Sequence, residues 1–259
     1  MCVKEEKPNV RYPSDMTDQE WEVIEPIINE VETYKTGRPR DVDLREILNA
    51  IFYLNKTGCP WRYLPKDFPD YTLVNYYYNK WKENGLFYKI NIKLVQIRRK
   101  KAGRNPDPTA AIIDSQSVKG TPESYEDSGF DGNKKVKGRK RHIVVDVIGC
   151  LLAVYVSAAN VADSTAARDV LILLFAVVKT VQRIWADQGY IGEALFNWLL
   201  KTFGCFLEIV KKEENQKGFK LLPRRWVVER TFAWLDRSRR LSKDDERTTT
   251  SHESQVYIA

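Results

Sequence analysis

The chain has 259 residues and 43% hydrophobic side chains, enough for one large globular domain or two modest ones. Its formal charge of +7 favours a polyanionic partner, although a merely basic soluble protein has the same charge. Two histidines and four cysteines without a Cys-x-x-Cys motif argue against a zinc site, a Ser-His-Asp triad and a disulfide framework. The N-terminus is polar and the longest apolar run covers only residues 171–178, so we expect no signal peptide, no membrane span and a cytoplasmic protein.

The first hundred residues carry helical signals and no strand signal. After a leader that we expect to be disordered, Thr17 and Glu20 form a capping box that opens the first helix. Pro26 should kink or end that helix. A second helix is predicted over residues 44–55, with Gly58 as its stop.

A third helix, capped by Thr72 and ended near Gly85, is followed by a fourth. Together with a basic turn at residues 37–40, these short helices fit a helix-turn-helix module and predict a helical DNA-binding domain over residues 1–100. The third helix would present three polar side chains to DNA, namely Asn75, Asn79 and Lys82. An ordinary helical bundle accounts for the same pattern, so both interpretations stay open.

Residues 97–108 are basic and then contain Gly and Pro, which predicts a linker to a second region of mixed α/β type over residues 109–259. The predicted order of elements in this region is β, β, β, α, β, α, β, α. The predicted strands are 109–114, 142–146, 151–157, 183–186 and 205–210, and the predicted helices are 164–179, 191–202 and 223–240. Residues 119–133 are predicted to form a loop.

Residues 134–141 form a basic run in which six of the eight side chains are cationic. Phosphate contacts from such a run would make DNA affinity steeply dependent on salt. We assign such contacts to Lys137, Arg139 and Lys140, with a solvated loop as the alternative.

Three carboxylates occupy positions typical of an acidic catalytic site. Asp114 and Asp187 each come directly after a short apolar run that is predicted to be a buried strand. Open α/β sheets place their sites at such strand ends. Glu229 lies on the last predicted helix, off its buried face, so three carboxylates from separate elements could converge.

Each acid alone has a simpler interpretation. Asp114 and Asp187 could be turn or capping residues, and Glu229 could form an ion pair with Arg225 one helical turn earlier. Taken together, the three supply only oxygen ligands, which suit Mg²⁺ or Mn²⁺ better than Zn²⁺. Two such ions support phosphodiester chemistry.

Several segments resemble the DDE transposases of bacterial insertion sequences. They are TAAIIDSQSVKGT, the block from GRKRHIVVDVIGC to AANVAD, WADQGY, and LPRRWVVERTFAWLDRSRRLSKDDERTTT. The similarity extends to SDMTDQEWEVIEP and GCPWRYLP near the N-terminus, so it spans most of the chain.

The resemblance implies an RNase H-like catalytic domain, in which a mixed sheet is flanked by helices. Its first acid ends strand one, its second follows strand four and its third lies on a helix, which correspond here to Asp114, Asp187 and Glu229. It also implies Mg²⁺- or Mn²⁺-dependent cleavage at the terminal inverted repeats of a DNA element and 3′-OH attack on target DNA. A homodimer in the synaptic complex and a place in the bacterial nucleoid are further implications.

The last segment departs from the Tyr-x-x-Arg-x-x-x-Glu signature that is common in this broad class. Arg225 and Glu229 match it, whereas Leu222 stands at the Tyr position and Asp236 at that of a later Lys. Roles tied to those two positions are not transferred, and phosphate contacts are assigned instead to three arginines, Arg225, Arg237 and Arg240.

Two other hypotheses stay open. The chain ends inside a predicted helix, which is compatible with an inert DNA-binding remnant that represses its element. A structure-selective RNase H-like nuclease, unrelated to transposition, is the third.

Overall fold

The structure is a computed structural model, and it describes residues 11–32, 42–210 and 225–259. The predicted basic turn at 37–40, the first ten residues of the leader and the first two residues of the last long predicted helix lie outside the described residues. In the described ranges, no helix combines the length and the apolar composition that a membrane span requires.

Four helices come first, as predicted: α1 (Asp18–Val31), α2 (Leu44–Thr57), α3 (Tyr71–Glu83) and α4 (Leu86–Lys101). Among the described residues no strand precedes them or lies between them. They share one apolar core, and its largest fully buried side chain is Trp81.

The helix boundaries follow local capping with two corrections. The capping box of Thr17 and Glu20 is present, and Gly58 ends α2 with φ 70°. α1 does not end at Pro26, which was one of the two predicted outcomes, because it continues to Val31 with Ile24 and Ile28 buried in the core. Packing of that face on both sides of the proline outweighs the lost hydrogen bond. The cap of α3 is Asp70 rather than Thr72, whose N–H donates to the Asp70 carboxylate at 2.9 Å.

The second region is a mixed six-stranded sheet with helices. In chain order its elements are β1 (Ala110–Lys119), β2 (Gly129–Asp131), β3 (Val136–Asp146), β4 (Leu151–Ala158), α5 (Asp163–Val177), β5 (Arg183–Ala186), α6 (Glu193–Phe203), β6 (Phe206–Ile209), α7 (Arg225–Leu235) and α8 (Thr249–Ile258). The predicted order of elements is confirmed, with β2 added inside the predicted loop and α8 after α7.

Strands β4, β3, β1, β5 and β6 lie side by side in that order, and β2 pairs with the first residues of β3. The β3–β1 and β3–β4 pairs are antiparallel, whereas β1–β5 and β5–β6 are parallel. The predicted fold class, an RNase H-like α/β sheet preceded by a helical region, is therefore confirmed.

The two faces of the sheet have separate cores. Ile113 of β1 faces a core shared with α5 and α6, and its neighbour Ile112 faces a second core shared with α7 and α8. Alternate residues of a strand point to opposite faces, so this division fixes which side each polar residue of β1 occupies.

The edge of β4 is covered by α8. The backbone N–H of Val156 donates to the Glu253 carboxylate at 2.9 Å, and that of Val154 donates to the Tyr257 hydroxyl at 3.1 Å. Both donors would otherwise be unpaired at the edge of the sheet. Burial raises the pKa of Glu253 to about 7.

This burial predicts a pH-dependent stability that Glu253→Gln should remove. The folded state holds the proton of Glu253 more tightly than the unfolded state, so this group's contribution to stability is lost as pH rises from about 4.5 to about 7. The glutamine keeps an acceptor for Val156 and has no charge to bury. The free energy of unfolding of the variant should therefore exceed that of the wild type increasingly with pH, by up to about 3 kcal/mol at pH 8.

Urea unfolding at several pH values measures this difference. Glu193→Gln, at an exposed position on α6, is the control and should parallel the wild type. A constant difference between Glu253→Gln and wild type over pH 4 to 8 would contradict the assignment.

Candidate active site

The parallel pairing of β1 with β5 brings two of the predicted acids level with each other. Ile112 pairs with Trp185, and both side chains belong to the core on the α7 side. Asp114 lies two residues after Ile112, and Asp187 lies two residues after Trp185. Neighbouring strands are about 4.8 Å apart, so the register brings the backbone of Asp114, within β1, level with that of Asp187, directly after β5.

The position of Asp114 corrects one prediction. β1 does not end there but continues to Lys119, because its second half pairs with β3 through the register Gln116–Arg141 and Val118–Arg139. The strand that ends beside Asp114 is β5.

Glu229 lies on α7, the helix that covers the same face. Val228 and Phe232 are buried in the core that contains Ile112 and Trp185, as the predicted helical face requires. Glu229 follows Val228 directly and is exposed. The helix is shorter than predicted and ends at Leu235, after which Arg240 and Leu241 turn inward.

Both aspartates also have local structural roles. The carboxylate of Asp187 accepts a hydrogen bond from the N–H of Gly189 at 2.8 Å and caps the short turn Gln188–Tyr190. The carboxylate of Asp114 accepts one from the N–H of Ser115 at 2.7 Å. These bonds hold each side chain in one orientation, which is what a catalytic carboxylate also needs.

Asp163 is a fourth acid near these residues. It is the first residue of α5, and its carboxylate accepts a hydrogen bond from the Ser115 hydroxyl at 2.8 Å. The ammonium of Lys140 lies 3.2 Å from the same oxygen. Its partners come from two different strands, so no spacing along the chain could have revealed it.

The charges of these acids act on the buried hydroxyl of Tyr190. Burial and the negative charges of Asp114, Asp163 and Asp187 raise the pKa of Tyr190 well above its ordinary value. The phenol therefore keeps its proton at any physiological pH. The side chain is 1% exposed, so it offers no surface for direct contact with DNA.

The three predicted ligands have the atom type that a hard divalent cation prefers, but they do not form a preorganised binding site. The carboxylates of Asp114, Asp187 and Glu229 are oxygen ligands, as Mg²⁺ and Mn²⁺ prefer. Within the described residues, no three carboxylate, imidazole or thiol groups stand close enough to enclose a metal ion. The described cysteines, Cys59, Cys150 and Cys205, are free thiols, as predicted.

Arg139, predicted to contact phosphate, is fully buried instead. Its guanidinium donates to the Asp244 carboxylate at 2.9 Å and to the backbone carbonyls of Glu246 and Arg247 at 2.8 and 2.7 Å. A further bond to the Glu126 carbonyl, at 3.0 Å, completes its hydrogen bonds. Residues 136–141 of the basic run are not a loop but part of β3, and Arg139 and Arg141 project from it towards residues 241–252.

Two more predicted phosphate ligands are also engaged inside the protein. Lys140 donates to the carbonyl of Val161 at 2.9 Å and pairs with Asp163. Arg240 is buried and pairs with Glu246 at 2.7 Å. We therefore exclude Arg139, Lys140 and Arg240 from any DNA-binding surface.

The other two predicted phosphate ligands with described side chains are exposed. Lys137 lies near the start of β3, and Arg237 follows α7. The side chain of Arg225 lies outside the described residues, although its backbone begins α7.

The predicted DNA-reading residues of α3 face the C-terminal part of the chain. Asn79 donates to the Asn75 carbonyl at 2.9 Å, and Lys82 donates to Asn79 at 3.0 Å and to the Ser251 hydroxyl of α8 at 3.1 Å. Asn75 and Asn79 line a groove of about 710 Å³ between the helical region and residues 240–251, whose other walls include Arg247. Contact with a DNA base would require DNA to enter this groove.

The strand order, with its two antiparallel and two parallel pairings, defines an RNase H-like protein. Residues 105–259, more than half of the chain, match the family described as "Transposase DDE domain", and the chain belongs to this family. Residues 16–91 match a second family, described as "Putative transposase of IS4/5 family".

A relative from Burkholderia cepacia is similar over part of its length. It is the "Putative transposase for insertion sequence element IS402", with 34% identity over 125 residues. The match covers 44% of this chain and 57% of that relative, so the chain spans just over half of the relative's length.

The burial of Arg139 predicts that Arg139→Met destabilises the protein. The substitution removes the arginine partner of the buried Asp244 carboxylate, and breaking a buried ion pair in this way costs about 3–5 kcal/mol. Urea unfolding measures the loss. Lys137→Met, two residues away and exposed, is the matched control and should change stability by less than about 0.5 kcal/mol. A stable Arg139→Met variant that has lost DNA affinity would contradict the buried position.

Proposed function

We propose that the protein is the transposase of an insertion sequence, which binds the terminal inverted repeats of its element and catalyses metal-dependent DNA strand cleavage and strand transfer. Membership of the DDE transposase family supports this proposal. The observation that supports it most is the β1–β5 register, in which Ile112 pairs with Trp185 and each of these residues is followed two positions later by a predicted acid.

Asp114, Asp187 and Glu229 are the residues that would hold Mg²⁺ or Mn²⁺. Bound there, the cation would lower the pKa of an attacking hydroxyl or water and stabilise the charge of the leaving oxygen. The chain itself supplies orientation: the Ser115 and Gly189 amides hold the two aspartates, and the packing of Val228 holds α7 against the sheet.

Double-stranded DNA is the partner that the charge favours, and the exposed cations Lys137 and Arg237 are the phosphate ligands that we retain. Arg225 also stays a candidate phosphate ligand, because it occupies the Arg position of the Tyr-x-x-Arg-x-x-x-Glu signature. We also propose a homodimer in the synaptic complex and a place at the bacterial nucleoid, since two element ends must be joined on chromosomal DNA.

Neutralising any of the three acids should abolish cleavage while DNA binding persists. We expect Asp114→Asn, Asp187→Asn and Glu229→Gln to lower cleavage of a plasmid carrying the gene's flanking DNA by more than about a hundredfold in Mg²⁺. Loss of a cation ligand should cost more than the 10–100-fold typical of outer-shell residues. Gel mobility shift with the same DNA measures binding.

Asp169→Asn, at an exposed position on α5, is the matched control and should cleave like the wild type. Wild-type protein that binds the flanking repeats without cleaving them, in Mg²⁺ and in Mn²⁺, would favour the inert DNA-binding remnant. Cleavage of branched DNA without preference for the repeats would favour the structure-selective nuclease.

Lys137→Gln and Arg237→Gln should each weaken DNA binding through a lost phosphate contact. We expect each to reduce the slope of log K against log salt concentration by about 1, because one counterion fewer is released. Fluorescence anisotropy with labelled duplex between 50 and 300 mM salt gives the slope. Lys201→Gln is the control, since Lys201 is exposed on α6 over the opposite face of the sheet. An unchanged slope in both variants would remove these residues from the interface.

A further inference from the structure

The hydroxyl of Tyr190 is buried and makes no hydrogen bond of ordinary geometry within the part of the chain that the structure describes. Ser115, whose own hydroxyl donates to Asp163, acts on it from nearby. A buried polar group without a partner costs about 1–3 kcal/mol, so its retention points to a partner that arrives with a ligand. The charges that act on this hydroxyl are those of Asp114, Asp163 and Asp187.

Asp163 joins the same place from the α5 side of the sheet. Ser115, its hydrogen-bond donor, is the residue after Asp114 on β1 and faces the side opposite α7. The ammonium of Lys140, at 3.2 Å, offsets one negative charge there. Asp163 is thus tied to the strand that carries Asp114.

Gly189 leaves open the space between Asp163 and Asp187. A Cβ atom on Gly189 would lie 3.0 Å from the Oδ1 atom of Asp187 and 3.3 Å from the Oδ2 atom of Asp163. The φ angle of Gly189 is not in the left-handed region, so the backbone does not demand a glycine here. The absence of a side chain on Gly189 keeps open the space between the two carboxylate oxygens.

We propose that Tyr190 and Asp163 are positioning residues of the acidic site. They form a polar support on the α5 side of the sheet, behind Asp114 and Asp187, and make the outer hydrogen bonds of a divalent cation that those two carboxylates hold. This inference rests on the cation of the proposed function. Mg²⁺ and ions like it keep several water molecules when bound to proteins, and a hydroxyl and a carboxylate are suitable partners for such waters.

The two residues act by different chemistry. The Tyr190 hydroxyl can donate to a carboxylate oxygen and accept from a water at once, whereas Asp163 can only accept. Outer partners of this kind fix the orientation of the ligands and typically contribute 10–100-fold to metal affinity.

The test is direct binding of Mn²⁺ to the full chain without DNA. Electron paramagnetic resonance of the unbound ion measures the bound fraction. We expect Tyr190→Phe, which removes one oxygen atom, to raise the Mn²⁺ dissociation constant 10–100-fold. Tyr88→Phe is the matched control: its hydroxyl is also buried without a partner, but it lies on α4 away from the acids. It should bind Mn²⁺ like the wild type.

Two further variants test the same proposal at other residues. Asp163→Asn removes the carboxylate charge, and Gly189→Ala puts a methyl group against both carboxylates; each should also raise the dissociation constant at least tenfold. Thermal unfolding in EDTA reports folding without the cation, and should differ little between Tyr190→Phe and wild type. Excess Mn²⁺ should restore cleavage by Tyr190→Phe, which a merely structural defect would not allow.

The outcomes separate this inference from the proposed function. Wild-type affinity for Mn²⁺ in Tyr190→Phe, Asp163→Asn and Gly189→Ala, together with active wild-type protein, overturns the inference alone. Wild-type protein that neither binds Mn²⁺ nor cleaves DNA overturns both. If Tyr190→Phe fails to fold in EDTA, the other two variants decide.

Discussion

The parallel pairing of β5 with β1 is the constraint on which the candidate site depends. The register of Ile112 with Trp185 sets two things at once: both side chains enter the core under α7, and the backbone positions of Asp114 and Asp187, two residues further on, come level. A shift by one residue would turn one of the acids to the opposite face, because side chains alternate along a strand. The packing of Ile112 and Trp185 in the apolar core therefore determines where the acids of the candidate site begin.

A second constraint holds the C-terminal segment on the sheet. Arg139 and Arg141 project from β3 into a buried cluster with Asp244 and His252, whose side chains pair at 2.7 Å. Asp244 also receives the N–H of Thr121 at its carbonyl. Buried arginines need such complete pairing, since an unpaired buried charge is strongly unfavourable. Residues 241–252 are thus fastened to the strand next to the one that carries Asp114.

Sequence reasoning predicted the order of elements and the three family acids, because apolar runs followed by an acid are local signals. Asp187, for example, directly follows a four-residue apolar strand. Local signals misplaced the basic run of β3, since charge suggests solvent and only the distant residue Asp244 explains why Arg139 is buried. Local signals could not single out Asp163 either, because Ser115 and Lys140, which define its place, lie 48 and 23 positions earlier in the chain.

Because α8 covers the edge of β4, the ways in which copies of this protein can associate are restricted. Strand-to-strand continuation of a sheet between two subunits needs free backbone donors at an edge. At β4 the donors of Val154 and Val156 are already taken by side chains of α8, and the carbonyl of Leu151 accepts from Asn91 of α4. A second subunit therefore cannot extend the sheet by pairing a strand with β4. A contact between subunits at this edge would have to be made by helix surfaces.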